Sequence, residues 1–266
     1  MLTPPSPNPP ASDQFVQSLA RGLGVITAFD AEHDELTLSE VAARTNLSRA
    51  AARRFLLTLV ELGFMRTDGS KFALTPQVLR LGSAYLSGLA LPDVAQPHLE
   101  ELSAEVGEST SLAVLDRDDI VYVARVATRR IMSVSITVGT RFPAFATSMG
   151  RVLLAGLDAD TLANYLDHAD LSPLTPRART DRAGLLALIH GVHERGWALV
   201  DQELERGLRS IAVPVHRHGV VVAAVNVSTS VHDDVEANTF ADAVLPRLLH
   251  TAKAISSDLA AQRAHG

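Results

Sequence analysis

The chain contains no cysteine, which excludes disulfide bridges and thiolate metal centres. It has no apolar run approaching the roughly 20 residues that a bilayer-spanning helix needs, so no membrane partner is expected. Its start lacks the basic stretch followed by an apolar run that marks a secretory signal. Residues 1–13 are instead proline-rich, with Pro4, Pro5, Pro7, Pro9 and Pro10, and read as a disordered tail. A cytoplasmic location is the expectation. A basic excess is missing too: the formal net charge is −6 at pH 7, unlike the basic balance common in nucleic-acid binders. The deficit is uneven. Asp13 to Arg80 holds eight basic and eight acidic residues, so that segment is neutral and the remainder carries the whole −6. An acidic partner must meet a local basic face.

What is present suits a globular protein. Of 266 residues, 47% are hydrophobic, enough for one large core or two unequal ones. In residues 18–29, Leu19, Leu23 and Ile26 fall at helical spacing. The acidic run 30–35 reads as a solvated turn. Ser39 is a plausible N-cap for a second helix that buries Val41 and Ala42. Asn46 tolerates the left-handed backbone of a tight turn. Ser48 caps a third helix in which Ala52, Phe55, Leu56 and Leu59 form one apolar stripe, ended by Gly63. The runs 64–67 and 71–74 flank Asp68-Gly69-Ser70 and predict a β-hairpin.

Beyond it, Pro76 opens a helix toward Leu91, and Pro92 starts another ending near Gly107. Strands are expected at 111–115, 120–125, 132–136, 198–201, 210–216 and 220–228. Helices are expected after Ser148, over 182–195 and over 234–262. This mixture of antiparallel strands and flanking helices is α+β. The organisation read from it is a tail (1–13), a winged helix-turn-helix (14–75), a linker helix (76–91) and a larger domain (92–266).

Two short helices followed by a hairpin have the layout of a winged helix-turn-helix. The non-core side of the second carries Arg49, Ala50 and Arg53, with Arg54 beside it and Ser48 at its start. The small Ala50 would let that side approach a major groove, where arginine can bond bidentately to guanine. Arg66 and Lys71 on the wing, and Arg21 near the first helix, are candidate phosphate contacts. The rival reading is a helix hairpin that serves as a protein contact in a sensing module without DNA binding.

In the second part, Thr147-Ser148-Met149-Gly150 precedes a helix, where free N–H groups and the helix dipole favour an anion such as a carboxylate. Ser148 offers a hydroxyl. Asn226 interrupts the apolar run 220–227 and must either make a cross-strand hydrogen bond or face a polar ligand, since an unmet amide costs about 1–3 kcal/mol. Arg125, Arg129, Arg130 and Arg141 lie close together in sequence, and a guanidinium fork suits a carboxylate. Enzymatic readings are weak. His190 and His193 lack a third metal ligand, and Ser148 lacks the Gly-x-Ser-x-Gly elbow of a hydrolase. No enzyme, metal or cofactor is expected.

The segments Phe15–Leu23, Leu38–Ala42, Leu47–Arg49, Leu59–Phe64, Thr147–Ala155, Gly196-Trp197, Asp201–Glu203 and Gly207–Pro214 resemble the IclR family of bacterial regulators, over nearly all the chain after the tail. The resemblance implies a winged helix, a linker helix, a GAF-like effector-binding domain, double-stranded operator DNA as partner, and homodimers or tetramers. It implies effector contacts at Ser148, Met149, Gly150, Leu208, Ser210, Asn226 and Ser228, with apolar walls from Ile131, Val134 and Phe142. Some relatives carry an acidic residue at the place of Val200 and a serine at that of Asn226, so the ligand chemistry need not match theirs. The stretches Phe15–Arg21, Thr128–Ile131 and Phe142–Leu154 look similar to regulators of protocatechuate and 4-hydroxybenzoate catabolism. That implies an organic acid effector: protocatechuate, 4-hydroxybenzoate or β-ketoadipate.

Overall fold

A computed structural model describes residues 14–30, 32–82, 90–128, 136–231 and 236–261. The chain divides into two compact units, Met1–Gly88 and Leu89–Gly266, and the architecture is α+β.

The first unit runs α1 (Gln17–Ile26), β1 (Glu35–Thr37), α2 (Leu38–Arg44), α3 (Arg49–Glu61), β2 (Met65–Thr67), β3 (Lys71–Leu74) and a 3-10 turn (Pro76–Val78). Val25, Phe29, Leu36, Val41, Leu56, Leu59, Met65 and Phe72 form its core. The N-cap of α2 is Thr37, not the expected Ser39. Thr37 and Glu40 make a reciprocal capping box, each side chain bonded to the other's backbone N–H. Ser48 does cap α3, accepting from Ala51 N–H at 3.2 Å. Asn46 is left-handed at φ 52 between them, and Leu47 N–H closes the turn on Ala42 O.

The sheet has three strands in the order β1-β3-β2. The first was not expected: it starts at Glu35, the last residue of the segment read as an acidic turn, and Glu35 and Thr37 face outward while Leu36 is buried. Helix α1 also departs from expectation. Leu19 and Leu23 are 63% and 50% exposed, and Val25 is the residue α1 buries. The expected linker helix is seen as the 3-10 turn and helical backbone over 79–82; the remainder to 89 lies outside the described residues, as does the tail.

The second unit contains α4 (Leu91–Val106), β4 (Ser109–Asp116), β5 (Asp119–Val126), β6 (Arg141–Pro143), a 3-10 turn (Ala144–Ala146), α5 (Ser148–Ala155), α6 (Ala159–His168), α7 (Arg182–Arg195), β7 (Ala198–Asp201), β8 (Leu208–Arg217), β9 (Val220–Ser230) and α8 (Ala237–Ala261). Six antiparallel strands form one sheet, ordered β6-β5-β4-β9-β8-β7. Each face is covered by helices. One packs Leu99, Leu102, Leu112, Val225, Leu248 and Ile255 between the sheet and α4 with α8. The other packs Ala113, Tyr122, Met149, Leu154, Leu185 and Ile189 between the sheet and α5 with α7. Because side chains alternate along a strand, β4 sends Thr110 to the first layer, where its hydroxyl donates to Leu99 O at 2.9 Å. Its neighbours Ser109 and Ser111 face the second layer. Among the described residues no helix is long and apolar enough to cross a membrane.

Candidate DNA-binding face and effector cavity

Helix α3 separates its residues by character. Ala52, Leu56 and Leu59 are buried, while Ser48, Arg49, Ala50, Arg53 and Arg54 are exposed. Among the described residues, no carboxylate pairs with Arg49, Arg53 or Arg54, nor with Arg21 on α1, which is likewise exposed. Three guanidinium groups therefore stand in solvent on one helix with nothing to neutralise them. The wing is different. Arg66 and Lys71 both reach Glu35 on β1, at 3.1 and 3.8 Å, so two exposed cations share one carboxylate, and with Asp68 at the tip the wing is formally neutral overall. Its tip is held by Asp68, whose carboxylate accepts from Ser70 N–H, Ser70 Oγ–H and Lys71 N–H. Those bonds hold its pKa down at about 2, against an ordinary value of 3.8.

In the second unit a cavity opens between the sheet and α5. Tyr122 on β5, Val200 on β7, Leu208 and Ser210 on β8, and Asn226 and Ser228 on β9 form its floor. Ala146, Thr147, Ser148 and Met149, with Ile136 and Leu204, close it from above. The void between atoms is about 360 Å³, constricted so that a water molecule's centre has about 10 Å³ to occupy. Sheet register builds the floor: Ser210 pairs with Ser228 and Val200, and Ser228 with Ser109.

The sequence-expected residues divide as follows. Ser148, Met149, Leu208, Ser210, Asn226 and Ser228 come together at the cavity. Gly150 does not line it. A Cβ there would lie 2.1 Å from Ala144 O, so this glycine allows close packing of α5 on the preceding turn. Phe142 stacks edge-on against Tyr122, with ring centroids 5.9 Å apart, and reaches the site only through that tyrosine. Ile131 and Val134, together with Arg129 and Arg130, lie outside the described residues. Arg141 forms ion pairs on the surface with Asp116 and Asp119.

The start of α5 is partly satisfied. Thr147 is its N-cap and accepts from Gly150 N–H at 3.0 Å. Ser148 is hydrogen-bonded to Ser210 at 2.8 Å, and a serine hydroxyl is no general base near neutral pH, so no nucleophile is activated there. Asn226 makes neither of the contacts weighed from sequence in full. Its Nδ2 donates to Ser228 Oγ, two residues along the same strand, at 2.9 Å. Its Oδ1 is buried without a partner. The residue is 3% exposed and lines the cavity, so an acceptor stands ready for a donor in that space.

Sequence reasoning did not single out Tyr122, Ile136, Ala146, Val200 or Leu204 as lining residues; Thr147 entered only as part of the anion-favouring segment before α5, and Val200 only as a departure from relatives. Burial pushes the Tyr122 hydroxyl up to about 12, with Arg125 acting in the opposite sense. A buried ion pair fixes the roof. Arg151 of α5 donates to both oxygens of Glu203 at 2.8 and 2.6 Å and to Phe145 O at 2.9 Å. Arg179 N–H donates to Glu203 as well, at 2.9 Å. Glu203 thereby ties α5 to the turn bearing Leu204. Among the described residues no group of three or more histidine and acidic side chains gathers as a metal site; His193 contacts Ala155 O instead.

Comparisons with known proteins cover both units. A family model described as the IclR helix-turn-helix domain matches residues 18–69. One described as the bacterial transcriptional regulator IclR C-terminal region matches 83–257. The Pca regulon regulatory protein of Pseudomonas putida is 50% identical over 219 residues, 82% of this chain and 75% of that protein. The p-hydroxybenzoate hydroxylase transcriptional activator of Acinetobacter baylyi is 38% identical over 247 residues, 91% of each. The crystal structure of an IclR homolog complexed with 4-hydroxybenzoate, from Microbacterium hydrocarbonoxydans, superposes with a TM-score of 0.81 at 27% identity, covering 92% of this chain and 100% of that one.

Proposed function

The chain belongs to the IclR family of bacterial transcriptional regulators, and from that premise we propose that it is a cytoplasmic, acid-responsive regulator of aromatic-acid breakdown genes. One observation carries the DNA-binding half: the unpaired guanidinium groups of Arg49, Arg53 and Arg54 on the outer side of α3. Arg49 and Arg53 read base edges, while Arg21, Arg54, Arg66 and Lys71 meet phosphates. Ser48 and Ala50 keep the helix start small enough to enter the groove.

The effector half is supported by the cavity beneath α5 and by the relatives. One of these activates a p-hydroxybenzoate hydroxylase gene by its name, and another was solved with 4-hydroxybenzoate. The effector is a small aromatic acid held by Ser148, Met149, Leu208, Ser210, Asn226 and Ser228. Exposed apolar side chains at four-residue spacing, Phe15 just before α1 and Leu19 and Leu23 on it, favour a homodimer, which would set two recognition helices on a pseudo-palindromic operator. The acid acts by binding one arrangement of that dimer better than another, the only way a ligand shifts an equilibrium.

The test is a salt titration of binding to DNA upstream of the neighbouring genes. Phosphate contacts make log affinity fall linearly with log salt, with a slope of about −0.9 per phosphate. Arg53→Ala should weaken specific binding by about 1–3 kcal/mol. Unchanged operator affinity in both Arg49→Ala and Arg53→Ala removes the recognition-helix assignment.

A further inference from the structure

We infer that Arg125, in one cross-strand row with Ser111 and Asn226, is the residue that recognises the effector's carboxylate, so that the acid enters with its anionic end over β4 and β5 rather than at the start of α5. This rests on the preceding reading of the cavity as an effector site and assigns the ligand's orientation within it.

Three observations converge. First, the sheet register sets Arg125 opposite Ser111, and Ser111 opposite Asn226. These three residues thus form one cross-strand row on the face that bears the cavity; Asn226 lines the void, and Ser111 and Arg125 stand beside it, outside its lining. Arg125 Nη1 donates to Ser111 Oγ at 3.0 Å, which draws the guanidinium across β4 toward Asn226. Tyr122, a floor residue, is close enough to act on it electrostatically.

Second, this guanidinium is half-buried and lacks a counter-charge. Its Nε is enclosed without a hydrogen-bond partner, and no carboxylate among the described residues pairs with it. Arg217 on β8 also encloses an unpartnered Nε, but the two least exposed arginines of this unit, Arg151 and Arg209, are matched by carboxylates. Arg151 is matched by Glu203, and Arg209 donates to Asp201 at 2.8 Å. Isolated charge in a low-dielectric site is costly, and an anion arriving from outside removes that cost. Burial alone already holds the group below the usual arginine range.

Third, the rival anchor is partly taken up within the protein. Thr147 Oγ accepts Gly150 N–H at the start of α5, and Ser148 is bonded to Ser210. The unpaired Asn226 Oδ1 completes the pattern. As an acceptor it repels a carboxylate and takes a hydroxyl proton. Ser111 and Asn226 stand on adjacent strands, about 4.8 Å apart. The ligand class is therefore a small hydroxy-acid, with its carboxylate on the β5 side of this row and its hydroxyl on the β9 side.

Calorimetry on the full chain tests this, with 4-hydroxybenzoate, benzoate and 4-hydroxybenzamide as probes against wild type, Arg125→Met and Arg125→Lys. Wild type should bind the hydroxy-acid tightest. Arg125→Met should lose about 10-fold or more toward both acids, lose its preference for acid over amide, and keep its melting temperature. Arg125→Lys should retain part of that preference through charge without the fork. Should Arg125→Met melt early, the Lys variant and the acid-to-amide ratio still report recognition apart from folding. Undiminished acid affinity and an unchanged ratio in either variant overturn the inference while leaving the effector cavity standing. Failure of wild type to bind either acid overturns both.

Discussion

Replacing Glu203 by leucine isolates what holds the cavity roof. The carboxylate receives two charge-assisted bonds from Arg151 and one from Arg179 N–H, and Arg151 is only 3% exposed. Without Glu203 the guanidinium keeps its bond to Phe145 O but becomes a buried, uncompensated charge. Breaking a buried pair in this way costs about 3–5 kcal/mol, a large share of a typical total of about 5–15 kcal/mol. With a urea slope of about 2 kcal/mol per M, the midpoint falls by about 2 M. The assay is selective because Trp197, the single tryptophan, precedes β7 in the same unit, so its fluorescence follows that unit alone. The double variant Arg151→Met/Glu203→Leu replaces the pair with apolar volume and should recover most of the loss, giving strong coupling in a double-mutant cycle. A cost below about 1 kcal/mol in Glu203→Leu, or losses that simply add in the double variant, would show that the pair does not hold α5 in place.

Further outcomes follow from local geometry. Gly150→Ala drives a methyl against the backbone of Ala144, 2.1 Å from its oxygen, and overpacking of this kind costs about 1–3 kcal/mol; an unchanged melting temperature would count against it. Asp68 has a pKa lowered to about 2, so its contribution to the wing is complete above the ordinary carboxylate value and is lost as pH falls from about 4 through about 2. Amide exchange at Ser70 and Lys71 should quicken over that window, and Asp68→Asn should flatten the dependence; identical profiles refute it. Leu19→Lys with Leu23→Lys should shift the proposed dimer to monomer in sedimentation while leaving the unfolding midpoint of the second unit intact. A persistent dimer would place the interface elsewhere.

Much of the fold could be read locally. Helix α7 and strand β7 fall where periodicity put them, because Asp181 caps the helix and Gly196 ends it in the left-handed region. Helix α6 was missed although Leu162, Tyr165 and Leu166 repeat at helical spacing behind the capping Asp158; the signal was there. Strands β1 and β6 have three residues each, too few for a period, and β6 ends in proline. In α1, helical spacing identified an apolar stripe but not whether its own chain covers it. Asn226 stood out because it interrupts an apolar run. Its row with Ser111 and Arg125 did not, because that row depends on pairing β9 with the sequence-distant β4–β5 hairpin, which itself has a register shift at Leu112/Ala113. No window of sequence contains that alignment.

The narrowness of the cavity governs how a signal can start there. On the proposed effector reading, an aromatic acid has to part Met149 and Leu204 from the floor beneath them before its ring fits. Part of the attraction between acid and protein is therefore consumed in wedging the roof open, and the observed affinity reports contact minus wedge. Trimming a roof side chain should tighten binding yet blunt the response, since a doorway already ajar tells the rest of the molecule nothing when a guest walks through.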